Sequence, residues 1–193
     1  MRLDKFTIKA QEALMSAQER ARTQGNPDVD VEHLLSAALQ EKTGMAATLL
    51  QKVGADSSNI LEQLEKDLSS RPRVQGGDVK ISNRLIALLD NAQKEADSLK
   101  DQYLSIEHIL LAATDEGKSR SGEILQGKGV TKDALLRALK DIRGGLNVTS
   151  QNQGSCQTDI ANAIHGKPNI IAATAPPNSP LSNFGRSFGL SRT

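Results

Sequence analysis

A four-residue segment, Glu32-His33-Leu34-Leu35, returns as Glu107-His108-Ile109-Leu110, 75 residues further on. The offset holds without a gap on both flanks. Leu14 matches Leu89, Ala17-Gln18 matches Ala92-Gln93, and Ala21 matches Ala96. Beyond the segment, Ala37-Ala38 matches Ala112-Ala113, Leu50-Gln51 matches Leu125-Gln126, Gly54 matches Gly129, and Leu61 and Leu64 match Leu136 and Leu139. About fifteen identities over roughly sixty positions in a single register mark two copies of one supersecondary unit. Whatever the first copy folds into, the second must fold into as well.

Each copy reads as four helices. In the first, Ala10, Ala13, Leu14, Ala17 and Ala21 recur at spacings of three and four, which lines one face of a helix over 7–24. Further helices are predicted at 31–40 with Val31, Leu34, Leu35 and Ala38 inward, at 44–53, and at 57–69 with Ile60, Leu61, Leu64 and Leu68 inward. The second copy gives 83–99, 106–114, 120–128 and 132–143. Its first helix buries Leu85, Leu88, Leu89, Ala92 and Ala96, and its last buries Leu135, Leu136, Leu139 and Ile142. The punctuation repeats too. Thr7 and Ser82, Asp30 and Ser105, and Asp56 and Thr131 stand where a short side-chain oxygen can accept from free N–H groups of a first turn. Gly54 and Gly129 follow helices where a left-handed residue is favoured.

The predicted fold is therefore all-α, with two pseudo-repeats of four helices, repeat one over 1–68 and repeat two over 81–146. The join, 69–80, holds Pro72 and Gly76-Gly77 and reads as a linker short enough for the repeats to pack together. Pseudo-two-fold symmetry would leave a groove between them, and grooves between helices are common binding places. Residues 147–193 read differently. Four of the six prolines lie beyond residue 152, and the only charges there are Asp159, Lys167, Arg186 and Arg192. That composition predicts an irregular, disordered tail.

Lys and Arg number 24 against 23 Asp and Glu, a net charge of +1, so no basic stripe argues for nucleic acid. Aromatic residues are 2% of the chain, too few for base-stacking platforms. The single cysteine, Cys156, allows no internal disulfide and suits a reducing compartment. No apolar stretch approaches a membrane span, and no leader follows Met1-Arg2-Leu3-Asp4-Lys5. A cytoplasmic, monomeric protein without membrane or nucleic-acid partners is expected.

Catalytic chemistry finds little purchase. Gly117-Lys118-Ser119 resembles the end of a phosphate-binding loop, but Ala112 stands where that loop needs its first glycine. The segment reads as a polar turn, and no ATP hydrolysis is expected. His33 and His108 each follow a glutamate at equivalent repeat positions, which points to a shared structural role; a metal site would need three or four convergent ligands, and only His165 remains. No catalytic residue, metal or cofactor is expected. Cys156 reads as an incidental thiol, and Asn147-Val148-Thr149 as a chance sequon.

The opening Met1-Arg2-Leu3-Asp4-Lys5-Phe6-Thr7, the two Glu-His-[Leu/Ile]-Leu segments, the Gly76-Gly77-Asp78 linker and the ending Leu139-Lys140-Asp141-Ile142-Arg143-Gly144-Gly145 together resemble the N-terminal Clp repeat domain of Clp ATPases, most nearly the ClpB disaggregating chaperones. The resemblance covers about residues 1–150. It implies a module that captures unfolded or aggregated polypeptides and passes them to ATP-driven AAA+ modules, for which this chain shows no sequence. It also implies that Thr7, Asp101 and Glu107 occupy polar positions linked to that function. The positions of the family's apolar groove fall near Asn91, Glu95 and His108, all polar here, so Tyr103 and Leu104 are candidates for part of an apolar contact, and His108 is a candidate for lining the groove. Thr7, Asp101 and Glu107 equally suit capping and a polar network that sets the groove walls. Partner-specific adaptor binding by the same fold is the alternative reading.

Overall fold

A computed structural model describes residues 3–74 and 78–152. Most of the expected tail, with Cys156 and His165, and the linker residues Gln75-Gly76-Gly77 lie outside the described residues. After a 3-10 turn at Leu3–Lys5, repeat one consists of α1 (Ile8–Gln24), α2 (Val31–Gln40), α3 (Met45–Lys52) and α4 (Ser57–Ser69). Repeat two consists of α5 (Asn83–Ser98), α6 (Ile106–Thr114), α7 (Arg120–Gly127) and α8 (Lys132–Arg143).

The helices begin where short oxygen-bearing side chains were expected. The N–H of Ala10 donates to Thr7 Oγ1, that of Leu85 to Ser82 Oγ, that of Ser58 to Asp56 Oδ1 and that of Ala134 to Thr131 Oγ1. Each bond satisfies a donor that the start of a helix leaves free. Gly54 and Gly129 take φ of 81° and 75°. The five alanines and leucines expected on the inner face of α1 are buried, as are their five counterparts on α5. Leu61, Leu136 and Ile142 are only partly buried against the core.

The helix pair at the centre departs from the amphipathic expectation. Every residue of α2 from Val31 to Leu39 is buried, and so is every residue of α6. Each packs against helices of its own repeat on one side and of the other repeat on the remaining side: α2 meets α1, α4, α5 and α7, and α6 meets α5, α7, α8 and α3. A helix enclosed all round is a core helix.

The repeats also exchange short extended segments. Residues before α2 form β1 (Asp28–Val29), which pairs in parallel with β2 (Lys80–Ile81) just before α5. At the equivalent place, Phe6 before α1 forms a parallel bridge with Leu104 before α6. The N–H of Ser82 donates to Val29 O (2.9 Å), and that of Thr7 to Leu104 O (2.9 Å). Each repeat thus supplies the strand partner that the other lacks, an arrangement that the helical periodicity did not reveal.

The chain after each last helix folds back onto the turn that follows the first helix of its repeat. The N–H of Val74 donates to Gly25 O (2.8 Å), and that of Gln102 donates to Val148 O (2.9 Å). Residues 147–152, grouped by composition with the tail, are therefore part of the fold, with Val148 buried. No helix among the described residues is long and apolar enough to cross a membrane.

Candidate functional site

The four polar residues Asp101, Ser105, Glu107 and His108 meet at the start of α6. The backbone N–H of Ser105 donates to His108 Nδ1 (2.9 Å), which makes that nitrogen an acceptor. The ring's Nε2–H therefore donates to Asp101 Oδ2 (2.8 Å). Arg143, from the end of α8, donates to the same oxygen (2.6 Å) and to Glu107 Oε1. The Val148 N–H completes Asp101 at Oδ1 (2.6 Å). Burial alone would raise the Asp101 carboxyl; the bonds from His108, Arg143 and the Val148 N–H outweigh it and hold the group below the usual carboxylate range.

Repeat one builds the same design with different chemistry. His33 at the third position of α2 accepts from the Asp30 N–H (3.1 Å), and its Nε2–H donates to Asn26 Oδ1 (3.0 Å). Asn26 occupies the place of Asp101. Glu32, fully buried, is met by Arg71 and by Arg84 from the second repeat, and accepts from the Ser121 N–H (3.2 Å). Arg84 also bonds Asp30 (3.0 Å) and Glu116 (3.0 Å). Both oxygens of Glu32 are thus bonded. Glu107 differs: Oε2 is buried and has no hydrogen-bond partner among the described residues. The repeat-one counterpart of Arg84 is Lys9, which pairs with Glu12 (3.3 Å) and Glu41 (3.4 Å) instead.

Of the residues singled out from sequence, Asp101, Glu107 and His108 come together directly. Thr7 is joined to them through the backbone of Leu104. Leu104 itself is 1% exposed and belongs to the core, so it offers no apolar contact surface; the exchanged strand pairing with Phe6 turns it inward. His108 is likewise fully buried and lines no groove. Tyr103 is half-buried. Glu95 is engaged by Lys132 (2.6 Å), and Asn91 accepts from Lys94 (3.0 Å).

Sequence reasoning missed the arginines. Arg143, Arg71 and Arg84 are the counter-charges of three buried carboxylates, Asp101, Glu32 and Glu107. A signal existed, because a glutamate inside an almost wholly apolar helix requires a cation. Which arginine answers it is set by tertiary contact.

Of three surface depressions, two lie away from this network and the third touches it at Arg143. One, between α1, α2 and α3, is bordered by Lys9, Ala13, Ala38, Glu41, Met45 and, from the other repeat, Ile106. Another is lined by Lys52, Val53, Ala134, Arg137 and Ala138, between α3 and α8. The third, the most apolar of these, is formed by Leu99, Leu136, Leu139 and Leu146 with Arg143 and Asn147 at its edge. None of Thr7, Asp101, Tyr103, Leu104, Glu107 and His108 lines any of them.

Residues 5–128 match the family described as the Clp repeat (R) N-terminal domain. The chaperone protein ClpB of Bacillus anthracis is 40% identical over 157 residues, which cover 79% of this chain and 18% of that protein. That of Pseudomonas putida is 39% identical over 154 residues, with the same shares. The chain therefore spans about a fifth of the length of the curated relatives it matches. Among solved structures, the Hsp104 N-terminal domain from Candida albicans superposes with a TM-score of 0.67 at 22% identity, over 76% of this chain and 97% of that one. A ClpV N-domain in complex with a VipB peptide superposes with a TM-score of 0.62 at 21% identity, over 74% and 89%. At such identities these structures establish the shared fold alone.

Proposed function

This chain belongs to the Clp repeat N-terminal domain family, and from that premise we propose that it is a binding module that engages unfolded or aggregated polypeptide, the substrate-capturing part of a ClpB-type disaggregase. The observation that carries the reading is the unpartnered Glu107 Oε2 beside the Asp101–His108–Arg143 network. A buried acceptor without a donor costs about 1–3 kcal/mol. A backbone N–H or a basic side chain of an extended client, admitted by a small opening at the start of α6, removes that cost. Tyr103, two residues from Asp101, supplies the neighbouring apolar contact. The peptide held by the ClpV N-domain is a precedent in the same fold. The work of threading belongs in this reading to AAA+ modules, beyond the portion of ClpB that the chain matches.

Adaptor binding is the second reading. It is favoured by the polar Asn91 and by Glu95, which Lys132 already engages. Binding of a fluorescent unfolded protein, set against a folded control, separates the two. The client reading predicts micromolar or weaker affinity for the unfolded probe, because an extended chain gives up entropy on docking. Tyr103→Ala and Asp101→Ala should each weaken binding by about five-fold or more, equivalent to roughly 1 kcal/mol, with circular dichroism unchanged. Binding to neither protein would reject client capture and leave the adaptor reading.

A further inference from the structure

The chain leaving α8 is attached unlike the chain leaving α4. Repeat one continues from Ser70, with φ −85°, into Pro72–Val74 and then into the paired strand β2. Repeat two ends in Gly144-Gly145, both left-handed at φ 58° and 89°, with no atom within 4 Å of where a Cβ would stand on either. Leu146 follows and is 59% exposed. Two left-handed glycines in open space, with an exposed residue after them, have the makings of a hinge.

Residues 147–151 then reach across two separate parts of the fold. Asn147 Nδ2 donates to Lys100 O (3.2 Å), and the Val148 N–H donates to Asp101 Oδ1 (2.6 Å). The Gln102 N–H donates to Val148 O (2.9 Å). Further on, the Ile8 N–H at the start of α1 donates to Gln151 O (2.8 Å), and Gln151 Nε2 donates to Asp4 O (2.9 Å). Val148 is the single buried side chain from Gly144 to Asn152. Hydrogen bonds at Asn147, Val148 and Gln151 and the buried Val148 side chain are among the contacts that hold the segment.

We propose that residues 147–152 are a releasable strap, hinged at Gly144-Gly145, whose seating locks both the Asp101–His108–Arg143–Glu107 network and the start of α1. Seated, the strap gives buried Asp101 a backbone donor and gives the Ile8 N–H, one of the donors that a helix start leaves free, an acceptor. Lifted, it withdraws both at once, so the surroundings of Asp101 and of Thr7, which immediately precedes Ile8, change together. The chain beyond residue 152 continues directly from the strap, so tension or docking there is felt first at these residues. Repeat one has no such device, because β2 ties down the chain after Val74. The proposal stands apart from client binding, and its test uses no client.

Native-state hydrogen exchange on the full chain tests it. In the unaltered protein the Ile8, Gln102 and Val148 amides should exchange at least ten-fold faster than those of Leu35–Leu39 in α2, through an opening that leaves α2 closed. Val148→Ala should speed the three strap-reporting amides several-fold, and Val148→Asp at least ten-fold, with the α2 amides unchanged in the alanine variant. Three results would overturn the strap. The first is exchange of the reporting amides only with α2, at its rate and with its denaturant dependence. The second is acceleration of α2 by Val148→Ala as large as that of Ile8 and Gln102, which would make the segment part of the core. The third is unaltered exchange at Ile8 and Gln102 in both variants, in which case the segment locks nothing.

Discussion

Lys100 holds the left-handed backbone conformation, φ 59°, that Gly25 holds at the same place in the first repeat, φ 71°. The turns they form are the same. Asn26 N–H donates back to Ala21 O, and Asp101 N–H donates back to Ala96 O, both at 2.9 Å. These turns end α1 and α5 and aim Asn26 and Asp101 at the two buried histidines. Lys100 is the one non-glycine with positive φ among the described residues. The second repeat carries strain at the position that delivers its network carboxylate.

Lys100→Gly should therefore stabilise the protein. Relief of the left-handed conformation is worth about 1–2 kcal/mol, and the greater freedom of glycine in the unfolded chain returns about half of that. Thermal unfolding should show a midpoint raised by a few degrees. Gly25→Ala should lower it, because φ is unfavourable for alanine and the new Cβ would stand 3.3 Å from Val74 O. Equal effects of the two substitutions would show that the turns are not equivalent in energy.

Arg84 is the inter-repeat counter-charge of Glu32 and Asp30. Arg84→Ala leaves Glu32 buried with Arg71 alone. Losing one partner of a buried ion pair costs roughly 3–5 kcal/mol when nothing else compensates, and Arg71 should keep the loss near the lower bound. Urea denaturation measures it. Adding Glu32→Gln to Arg84→Ala should restore part of the stability, and a double variant less stable than the single one would refute the pairing.

Acidification should act in two steps. Burial and the nearby Arg71 guanidinium push His33 below its ordinary value of 6.5, and the carboxylates Asp30 and Glu32 offset only part of this. The unfolded chain thus takes up that proton first. His33 therefore contributes stability in full above about pH 6.5 and loses it as pH falls toward the lower folded value. Asp30 and Asp101 lie below the ordinary carboxylate value of 3.8 in the fold, so a second loss should begin near that pH and deepen as pH falls through their folded values. Denaturant midpoints between pH 8 and 3 would show both steps. His33→Gln should flatten the upper one and Asp101→Asn should reduce the lower one.

Gly122 at the start of α7 has no room for a side chain. An added Cβ would lie 2.8 Å from Gly117 O, a backbone atom that cannot swing aside. Gly122→Ala should destabilise by about 1–3 kcal/mol through overpacking, read from urea midpoints. In repeat one Ala47 occupies the equivalent position without difficulty, buried in α3. A neutral Gly122→Ala would mean that the 115–118 turn yields freely.

The repeat offset, the apolar spacing and the capping residues determined eight helices, their ends and most of their inner faces, because these depend on neighbours three or four places away along the chain. His33 and His108 each accept from the N–H three positions earlier, a local contact at the equivalent positions that the repeat offset marked. Local reasoning failed where a residue's environment comes from a distant part of the chain. The second buried face of α2 and α6, the exchanged pairs at Val29–Ile81 and Phe6–Leu104, and the arginines that answer Glu32 and Asp101 are contacts 36 to 98 residues distant in sequence. Residues 147–152 look like tail in composition, yet the Asp101 carboxylate and the free N–H of Ile8 draw them onto the fold. The pattern of a helix is written along the chain, but a buried charge must find its partner in space, and only the packed tertiary structure decides which one is within reach.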